Sequence, residues 1–306
     1  MDTNRPLPRR SAAWLLALAA AVAIFVVGSR LLPALLPTEV ILLAAGDIAS
    51  CDGRGDEATA MVLDDLAGTI VALGDTVYPD GTAAEYRECY GPSWGRHLDR
   101  TRPIPGNHEY RTAGAKAYFE RFGAAAGDPT TGYYSFDLDS WHVIALNTEC
   151  GQVGGCGEGS PQERWLRADL AASDHLCTVV VMHTPRFSSG GHGDAPWLVP
   201  FWNALYASGV EIALSGHDHD YERFAPQDPM GDPDDLTGIR QFVVGTGGIG
   251  LNPLGPLSPN SETGNDTTHG ILELKLRRET FEWRFVPVAG ATFTDSGSGA
   301  CHPAPS

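Results

Sequence analysis

The chain has 306 residues, of which 38 are acidic and 21 are basic, and its net charge is −17 at pH 7. So acidic a chain lacks the basic surface that binding to nucleic-acid phosphates requires, and we therefore exclude a DNA- or RNA-binding function. Its content of 42% hydrophobic and 19% charged residues is typical of a globular protein and argues against extensive disorder.

The N-terminal segment has the features of an export signal. Arg5, Arg9 and Arg10 precede an uncharged apolar run at 11–28. This run is longer than the apolar core of most signal peptides and approaches the length of a membrane-spanning helix. Because no good cleavage site follows it, we favour an uncleaved membrane anchor over a removed signal. Its positive flank predicts that the rest of the chain is exported.

Three regions follow from this reading of the sequence. We assign 1–37 to the anchor or signal with its linker, 38–290 to a catalytic domain, and 291–306 to a C-terminal tail.

The six cysteines also indicate an oxidising compartment. Their number is even and none forms the Cys-x-x-Cys pair typical of metal binding, so we expect disulfides, for which 15 pairings exist. Cys150 and Cys156 bracket a glycine-rich loop and are the first expected pair. The remaining cysteines are then assigned as Cys51 with Cys89 and Cys177 with Cys301.

Apolar runs alternate with helical patterns along the rest of the chain. Buried strands are predicted at 40–45, 69–73, 178–182 and 210–214, and helices at 56–66, 161–172 and 197–208. A strand pair is predicted around Asp139-Ser140, and antiparallel strands at 241–244, 270–276 and 280–286. The alternation predicts a layered α/β fold.

Several predicted strands end at a glycine that is followed by an acidic residue or a histidine. Examples are Gly46-Asp47, Gly74-Asp75 and Gly216-His217. Ligand sites in open α/β sheets lie beyond the carboxyl ends of strands, and glycine allows the backbone to turn sharply there. We therefore predict a functional site built from the residues that follow the strands.

Five short stretches carry residue types that bind metals. They are Gly46-Asp47-Ile48-Ala49, Gly74-Asp75-Thr76-Val77-Tyr78, Gly106-Asn107-His108-Glu109, Val180-Val181-Met182-His183 and Gly216-His217-Asp218-His219. This mixture of carboxylate, amide, phenolate and imidazole groups suits iron, manganese or zinc better than calcium or magnesium. The Asp75 carboxylate is the natural candidate to bridge two cations.

Two metal ions suit a phosphate-ester substrate. The negative charge of the ester repels a hydroxide nucleophile, and two cations about 3.5–4 Å apart clamp the phosphoryl oxygens and generate hydroxide from water near neutral pH. The leaving alkoxide then needs a proton. We predict that His108, which is adjacent to Asn107, donates that proton.

At these residues the sequence resembles the metallophosphoesterase superfamily and, within it, the purple acid phosphatases. The family pattern is Asp-x-Gly, Gly-Asp-x-x-Tyr, Gly-Asn-His-Glu, Val-x-x-His and Gly-His-x-His, and all but the first motif match fully and in order. The first motif has Ala49 where glycine is usual. Many other metallophosphoesterases place a metal-binding histidine at that position, whereas this chain instead has Tyr78 as a tyrosinate candidate.

The resemblance implies both a fold and two ligand sets. The fold would be an α/β sandwich of two mixed β-sheets flanked by helices, preceded here by the N-terminal apolar helix. The first metal ion would be bound by Asp47, Asp75, Tyr78 and His219, and the second by Asp75, Asn107, His183 and His217. A tyrosinate ligand favours Fe(III) at the first site, with Fe, Zn or Mn at the second.

Other polar residues near the motifs are expected to support the site. Those that orient ligands or hold the loop are Glu109, Tyr221, Glu222 and Arg223. His192 and Asp194 lie in a glycine-rich loop and line either the substrate pocket or a solvated surface.

The sequence thus predicts an exported acid phosphomonoesterase that acts on a small-molecule phosphate ester, with membrane contact if the N-terminal helix stays uncleaved. No protein partner can be inferred. One alternative is a phosphodiesterase or nucleotidase on the same scaffold. An alternative from another class is a catalytically silent surface protein that binds a phosphorylated ligand, and the intact ligand set argues against it.

Overall fold

The computed structural model describes residues 39–305. The apolar run at 11–28, predicted to be an anchor or a signal, lies outside these residues. Within 39–305, every helix is too short or too polar to span a bilayer.

Two mixed sheets form the centre of the domain. The first contains, in spatial order, β15 (Ser296–Ala300), β14 (Thr280–Pro287), β13 (Gly270–Leu276), β1 (Val40–Ala45), β3 (Thr69–Leu73) and β5 (Thr101–Ile104). The second contains β12 (Ser261–Asn265), β10 (Tyr221–Phe224), β11 (Arg240–Val244), β9 (Ile212–Ser215), β8 (Cys177–Met182), β7 (Trp141–Leu146) and β6 (Tyr134–Leu138). A small parallel pair joins β2 (Ala49–Ser50) to β4 (Val77–Tyr78).

Parallel pairing occupies one side of the first sheet and the middle of the second. In the first sheet, β1, β3 and β5 run parallel. In the second sheet, β7, β8, β9 and β11 run parallel. We expected β11 to be only antiparallel, but it pairs antiparallel with β10 and parallel with β9. β10 lies between β9 and β11 in the chain but pairs with β11 on the side away from β9. β9 and β11 are therefore adjacent in the sheet and pair in parallel.

Helices and short helical turns connect the strands. The α-helices are α1 (Gly55–Asp65), α2 (Ala83–Glu85), α3 (Lys116–Phe122), α4 (Pro161–Ala172) and α5 (Val199–Ala207). Short 3₁₀ or π-helical segments span Tyr86–Tyr90, Trp94–Arg100, Glu109–Arg111, Ala113–Ala115, Gly123–Ala126 and Pro196–Leu198. The predicted N-cap of α4 is observed, because Ser160 Oγ accepts the Glu163 N–H at 3.3 Å.

Alternate residues of β7 and β8 pack into two hydrophobic cores. Val143 and Val181 belong to the core that also contains residues of the first sheet, whereas Ile144 and Val180 pack with residues of α4 and α5. Every residue of both strands is buried, as expected of parallel strands covered on both faces. The structure confirms the predicted mixed α/β fold with two mixed sheets and helices.

The C-terminal segment contributes an edge strand. The sequence assigns 291–306 to a tail, but β15 pairs antiparallel with β14 along its full length. Its residues are small and give no apolar pattern. They nevertheless cover aromatic rings, since a Cβ at Gly297 or Gly299 would lie 2.2 or 2.3 Å from the ring of Trp283 or Phe281.

Three disulfides link the domain, and their pairing agrees with the expected one. They are Cys51–Cys89, Cys150–Cys156 and Cys177–Cys301. The last of these joins the start of β8 in the second sheet to the residue that follows β15 in the first.

A buried carboxylate beside this disulfide predicts a pH-dependent stability. Glu211 is 2% exposed and accepts hydrogen bonds from the backbone N–H groups of Thr178 at 2.7 Å and His302 at 3.2 Å. Burial raises the pKa of Glu211 to about 8, above the value of 4.5 for a free glutamate side chain. The folded state therefore binds a proton that the unfolded state has lost, and the free energy of unfolding falls as the pH rises between these values.

We expect the free energy of unfolding to fall between pH 5 and pH 8 by about 3 kcal/mol more in the wild type than in Glu211→Gln, because a pKa unit corresponds to about 1.4 kcal/mol. Urea unfolding of both proteins at the two pH values measures this difference. The quantity compared is the change in the free energy of unfolding between pH 5 and pH 8, because replacing the carboxyl group by an amide alters the stability equally at both pH values. Equal slopes would contradict the assignment.

Candidate metal centre

The candidate ligands follow the carboxyl ends of strands from both sheets. Asp47, Asp75 and Asn107 come after β1, β3 and β5 of the first sheet, and His183 and His217 come after β8 and β9 of the second. The predicted clustering beyond the strand ends therefore arises where the two sheets meet at one end of the sandwich.

The backbone turns at the ligand residues themselves. Asp47, Asp75 and His217 have φ angles of 61°, 44° and 72°, a region that non-glycine residues rarely occupy and that costs on the order of 1–3 kcal/mol each. We expected glycine to make these turns, and Gly74 does so with a φ angle of 82°, although Asp75 after it turns as well. At Gly106 the absence of a side chain allows the backbone to approach the Asp75 carboxylate, since a Cβ there would lie 2.3 Å from Asp75 Oδ1.

One group of donor atoms converges on the Tyr78 hydroxyl. Its oxygen lies 2.8 Å from Asp47 Oδ1, 3.1 Å from Asp75 Oδ2 and 3.2 Å from His219 Nε2. The other ring nitrogen of His219 lies 3.0 Å from the Gly250 carbonyl oxygen, so Nδ1 donates there and Nε2 presents a lone pair to the group. We call these four side chains the first donor group.

A second donor group converges on His183 Nε2. This nitrogen lies 3.3 Å from Asp75 Oδ2, 3.2 Å from Asn107 Oδ1 and 3.2 Å from His217 Nδ1. His183 Nδ1 lies 2.8 Å from the Leu73 carbonyl oxygen and donates to it, which leaves Nε2 for the group. The two donor groups share one atom, Asp75 Oδ2.

Each carboxylate divides its oxygens between the backbone and the centre. Asp75 Oδ1 accepts the His108 N–H at 2.8 Å, and Asp47 Oδ2 accepts the His217 N–H at 2.8 Å. The remaining oxygens, Asp75 Oδ2 and Asp47 Oδ1, point into the donor groups. The backbone bonds thus fix which oxygen is available to a ligand.

The donor groups contain too few hydrogens for their lone pairs. The single Tyr78 hydroxyl hydrogen faces three acceptor atoms, and Asp47, Asp75 and His183 are buried away from water. Buried acceptors without partners are costly, and a cation at each group would satisfy them together. The residues present therefore fit two metal ions of the oxygen- and nitrogen-binding kind.

The electrostatics of the centre also favour added positive charge. Burial opposes protonation of His183, but the Asp75 and Asp47 carboxylates outweigh it and raise its pKa to about 10. Burial and the Asp75 charge raise the pKa of Asp47 to about 7, although His183 opposes them. Burial and the same two carboxylates raise the pKa of Tyr78 well above its ordinary value. A bound cation would reverse the effect on Tyr78 and favour the phenolate.

Glu109 holds the two loops that carry Asp75 and Asn107. Its fully buried carboxylate accepts the N–H groups of Asp75 at 2.9 Å, Thr76 at 2.8 Å and Gly106 at 2.7 Å. The expected orienting role of Glu109 therefore has a clear geometric basis.

His108 lies at the rim of the first donor group. Its ring centroid is 4.2 Å from that of Tyr78, and its Nε2 lies 3.8 Å from Asp75 Oδ2. Nδ1 contacts the Pro79 carbonyl oxygen at 2.5 Å, and Arg111 donates to Nε2 at 3.2 Å. Burial and the Arg111 charge lower the pKa of His108, while Asp75 raises it, and the net direction is down.

The two candidate pocket residues have different positions. His192 is half exposed, its ring centroid lies 4.1 Å from that of His217, and its Nδ1 contacts Asp218 Oδ1 at 2.9 Å. Asp194 instead accepts the Ser188 N–H at 2.9 Å and holds its own loop. The structure thus brings His192 to the donor groups and gives Asp194 a bond within the loop.

The other supporting residues hold neighbouring segments. Glu222 accepts hydrogen bonds from the N–H and hydroxyl of Ser189 at 2.8 and 2.5 Å. Tyr221 and Arg223 both donate to Asp295 at 2.7 Å, so they hold the C-terminal segment rather than the metal loop.

The sequence interpretation missed Arg111 and Asp218. Arg111 contacts His108 because both lie on one helical turn, a spacing of three residues that could have indicated the contact. Asp218 is buried and accepts from the Ser188 hydroxyl as well as from His192. It occupies the variable position of the Gly-His-x-His motif, where the pattern gives no signal.

Comparison with known proteins identifies relatives with phosphatase names. Residues 38–221 match the calcineurin-like phosphoesterase family. Purple acid phosphatase 21 of Arabidopsis thaliana is 32% identical over 207 residues, which are 58% of this chain and 46% of that protein. Acid phosphatase A of Cryphonectria parasitica is 30% identical over 166 residues, 46% of this chain and 32% of that protein. The chain thus matches at most about half the length of these relatives.

Solved structures share the fold at low sequence identity. The purple acid phosphatase PPD1 from yellow lupin superposes with a TM-score of 0.70 and 17% identity, over 86% of this chain and 54% of that one. GAP50, described as the anchor in the inner membrane complex of Plasmodium, has a TM-score of 0.66 and 14% identity, over 87% and 89% of the two chains. These likenesses establish the fold alone.

The family match spans more than half of the chain and contains every candidate ligand, from Asp47 to His219. The resemblance noted in the sequence is therefore confirmed at the level of the family, and the chain belongs to the calcineurin-like phosphoesterases.

Proposed function

We propose that this protein is a two-metal phosphate-ester hydrolase that acts on small phosphomonoesters. The observation that carries the proposal is the pair of donor groups that share Asp75 Oδ2, because one bridging carboxylate oxygen is what two neighbouring cations require. The acid phosphatase names of the relatives support the choice of a monoester substrate.

The first donor group would hold one ion through Asp47, Asp75, Tyr78 and His219. The second would hold another through Asp75, Asn107, His183 and His217. A phenolate ligand favours Fe(III) in the first group, and the oxygen and imidazole donors of the second suit Fe, Zn or Mn. When bound, the two ions supply Lewis-acid chemistry that neutralises phosphoryl oxygens and lowers the pKa of water.

The protein itself contributes orientation and a proton. We propose that His108 protonates the leaving oxygen through Nε2, the nitrogen directed towards the centre, while Nδ1 keeps its hydrogen on the Pro79 carbonyl oxygen. Arg111 donates to the same Nε2, so its side chain must move away when Nε2 carries a proton. That side chain is 49% exposed and can move into solvent. The half-exposed His192 lies beside His217, where it can contact a bound phosphoryl group.

We also propose that the domain works outside the cytoplasm. Three disulfides within 39–305 are typical of an oxidising compartment, and the predicted export segment at 11–28 agrees with that location.

Loss of one ligand tests the hydrolase proposal. We expect the metal-loaded wild type to hydrolyse p-nitrophenyl phosphate faster than its bis(p-nitrophenyl) diester. His183→Ala should lower kcat/KM by about 100-fold or more, since even residues that only orient ligands contribute about 10- to 100-fold. The control is His302→Ala, whose ring hydrogen-bonds to the neighbouring Pro303 carbonyl oxygen and belongs to neither donor group. Faster diester cleavage would favour the phosphodiesterase alternative, and no cleavage of either ester would favour the silent binding protein.

The visible absorption spectrum tests the Fe(III) assignment. An iron-loaded wild type should show a tyrosinate-to-iron charge-transfer band, and Tyr78→Phe should lose it while keeping the fold, because only the hydroxyl is removed. Tyr133→Phe is the control, since its hydroxyl belongs to neither donor group and its ring packs on Trp165. A band that survives in Tyr78→Phe would rule out Tyr78 as the ligand.

Glu109 tests whether ligand orientation supports metal binding. In Glu109→Gln an amide NH₂ faces backbone N–H donors, so the loops of Asp75 and Asn107 should shift. We expect about 10- to 100-fold weaker metal binding, measured by competition with a chelator of known affinity. The matched control is Glu273→Gln, a buried carboxylate on β13 that pairs with Arg284. Equal affinities in wild type and Glu109→Gln would contradict the proposed role.

A further inference from the structure

A second cluster of metal-binding residue types lies at the opposite end of the second sheet. Asp137 and His142 are cross-strand neighbours on the β6–β7 hairpin, and His175 precedes β8. His175 and the candidate ligand His183 flank the two ends of β8, so about 25 Å separates the clusters, at about 3.3 Å per residue. The proposed catalytic centre makes no use of these residues.

The ligand atoms of this cluster lie at distances suited to one small cation. Asp137 Oδ1 is 2.8 Å from His142 Nδ1 and 3.8 Å from His175 Nδ1, and all three atoms lie within 4.8 Å of one another. Ligands of a tetrahedral zinc ion, at about 2.0–2.2 Å from the metal, are about 3.4 Å apart. The observed separations lie on both sides of that value, so side-chain rotations alone could complete the geometry.

The outer ring nitrogen of His142 is held as in known zinc sites. His142 Nε2 lies 2.9 Å from Asp169 Oδ2, and the other oxygen of Asp169 accepts the Ser135 hydroxyl at 2.7 Å. A carboxylate on the far nitrogen fixes the ring and raises the basicity of the nitrogen that faces the metal. The ring of His142 is 9% exposed, whereas Asp137 is 59% exposed and leaves the cluster open to solvent on one side.

The charges around the cluster favour a cation. Among the described residues, the ion pairs of Asp137, Asp169 and Asp174 are all with His142 or His175. The carboxylates of Asp137 and Asp169 both contact the His142 ring and place two negative charges beside it, which a divalent ion would neutralise.

We propose that Asp137, His142 and His175 bind a divalent transition-metal ion of the zinc class, with water from the open side as a further ligand. The ion joins the edge hairpin of the second sheet to the segment between α4 and β8. It is distinct from the catalytic centre and does not depend on the proposed function.

Metal content per chain tests this site. The full-length chain, loaded with its catalytic ions, is dialysed at low micromolar free zinc and analysed by mass spectrometry of total metal. We expect Asp137→Asn and His175→Ala each to contain one ion fewer than the wild type, with unchanged phosphatase activity. His302→Ala, a histidine outside the cluster, should retain the wild-type content. Equal metal content in the wild type and both cluster variants would overturn the proposal.

A second measurement excludes exchange at the catalytic centre. In a His183→Ala/His219→Ala background, which removes a ligand from each donor group, zinc should raise the melting temperature, and adding His175→Ala should abolish that rise. Asp137→Asn changes an exposed side chain and so keeps the test valid if His175→Ala folds poorly. A zinc-induced rise that is the same with and without the cluster variants would place the ion elsewhere and overturn the proposal.

Discussion

The site depends on burying more hydrogen-bond acceptor atoms than there are polar hydrogens to satisfy them. Asp47, Asp75 and His183 are almost fully buried, and their backbone bonds leave carboxylate oxygens and one imidazole nitrogen facing one another, with at most one hydrogen, on that nitrogen, among them. Such an arrangement is unfavourable by itself. It is held by bonds formed elsewhere, above all by the Glu109 carboxylate, which anchors the loops of two ligands. The fold thus keeps the candidate ligands close without a cation.

The sandwich supplies the rigidity that this crowding needs. Buried parallel strands end at a common edge in each sheet, and five of the candidate ligands lie one to three residues beyond those ends. The left-handed turns at Asp47, Asp75 and His217 are maintained because their neighbours on both sides are packed or hydrogen-bonded. Strain is therefore localised at the ligands, where altered geometry matters most for chemistry.

The sequence predicts most of the fold and the clustering of the candidate ligands because both have local signatures. Continuous apolar runs such as 178–182, rich in β-branched residues, favour strands covered on both faces, and Gly-Asn-His-Glu is a compact motif with several polar groups. Other features depend on partners distant in the chain. The small residues of β15 pack against the rings of Trp283 and Phe281, a contact that their own sequence does not indicate. The parallel pairing of β11 depends on the path of β10. Asp218 likewise gains its role from a loop thirty residues earlier in the chain, which no periodicity reveals.

The Cys177–Cys301 bond has a consequence for the sandwich as a mechanical object. It joins the two sheets at the end opposite the metal centre, while the centre draws ligands from both sheets at the other end. The apolar core lies between the disulfide and the candidate ligands. Reduction would break the covalent link at one end of the sandwich, whereas the candidate ligands at the other end stay fixed by buried strands and by Glu109.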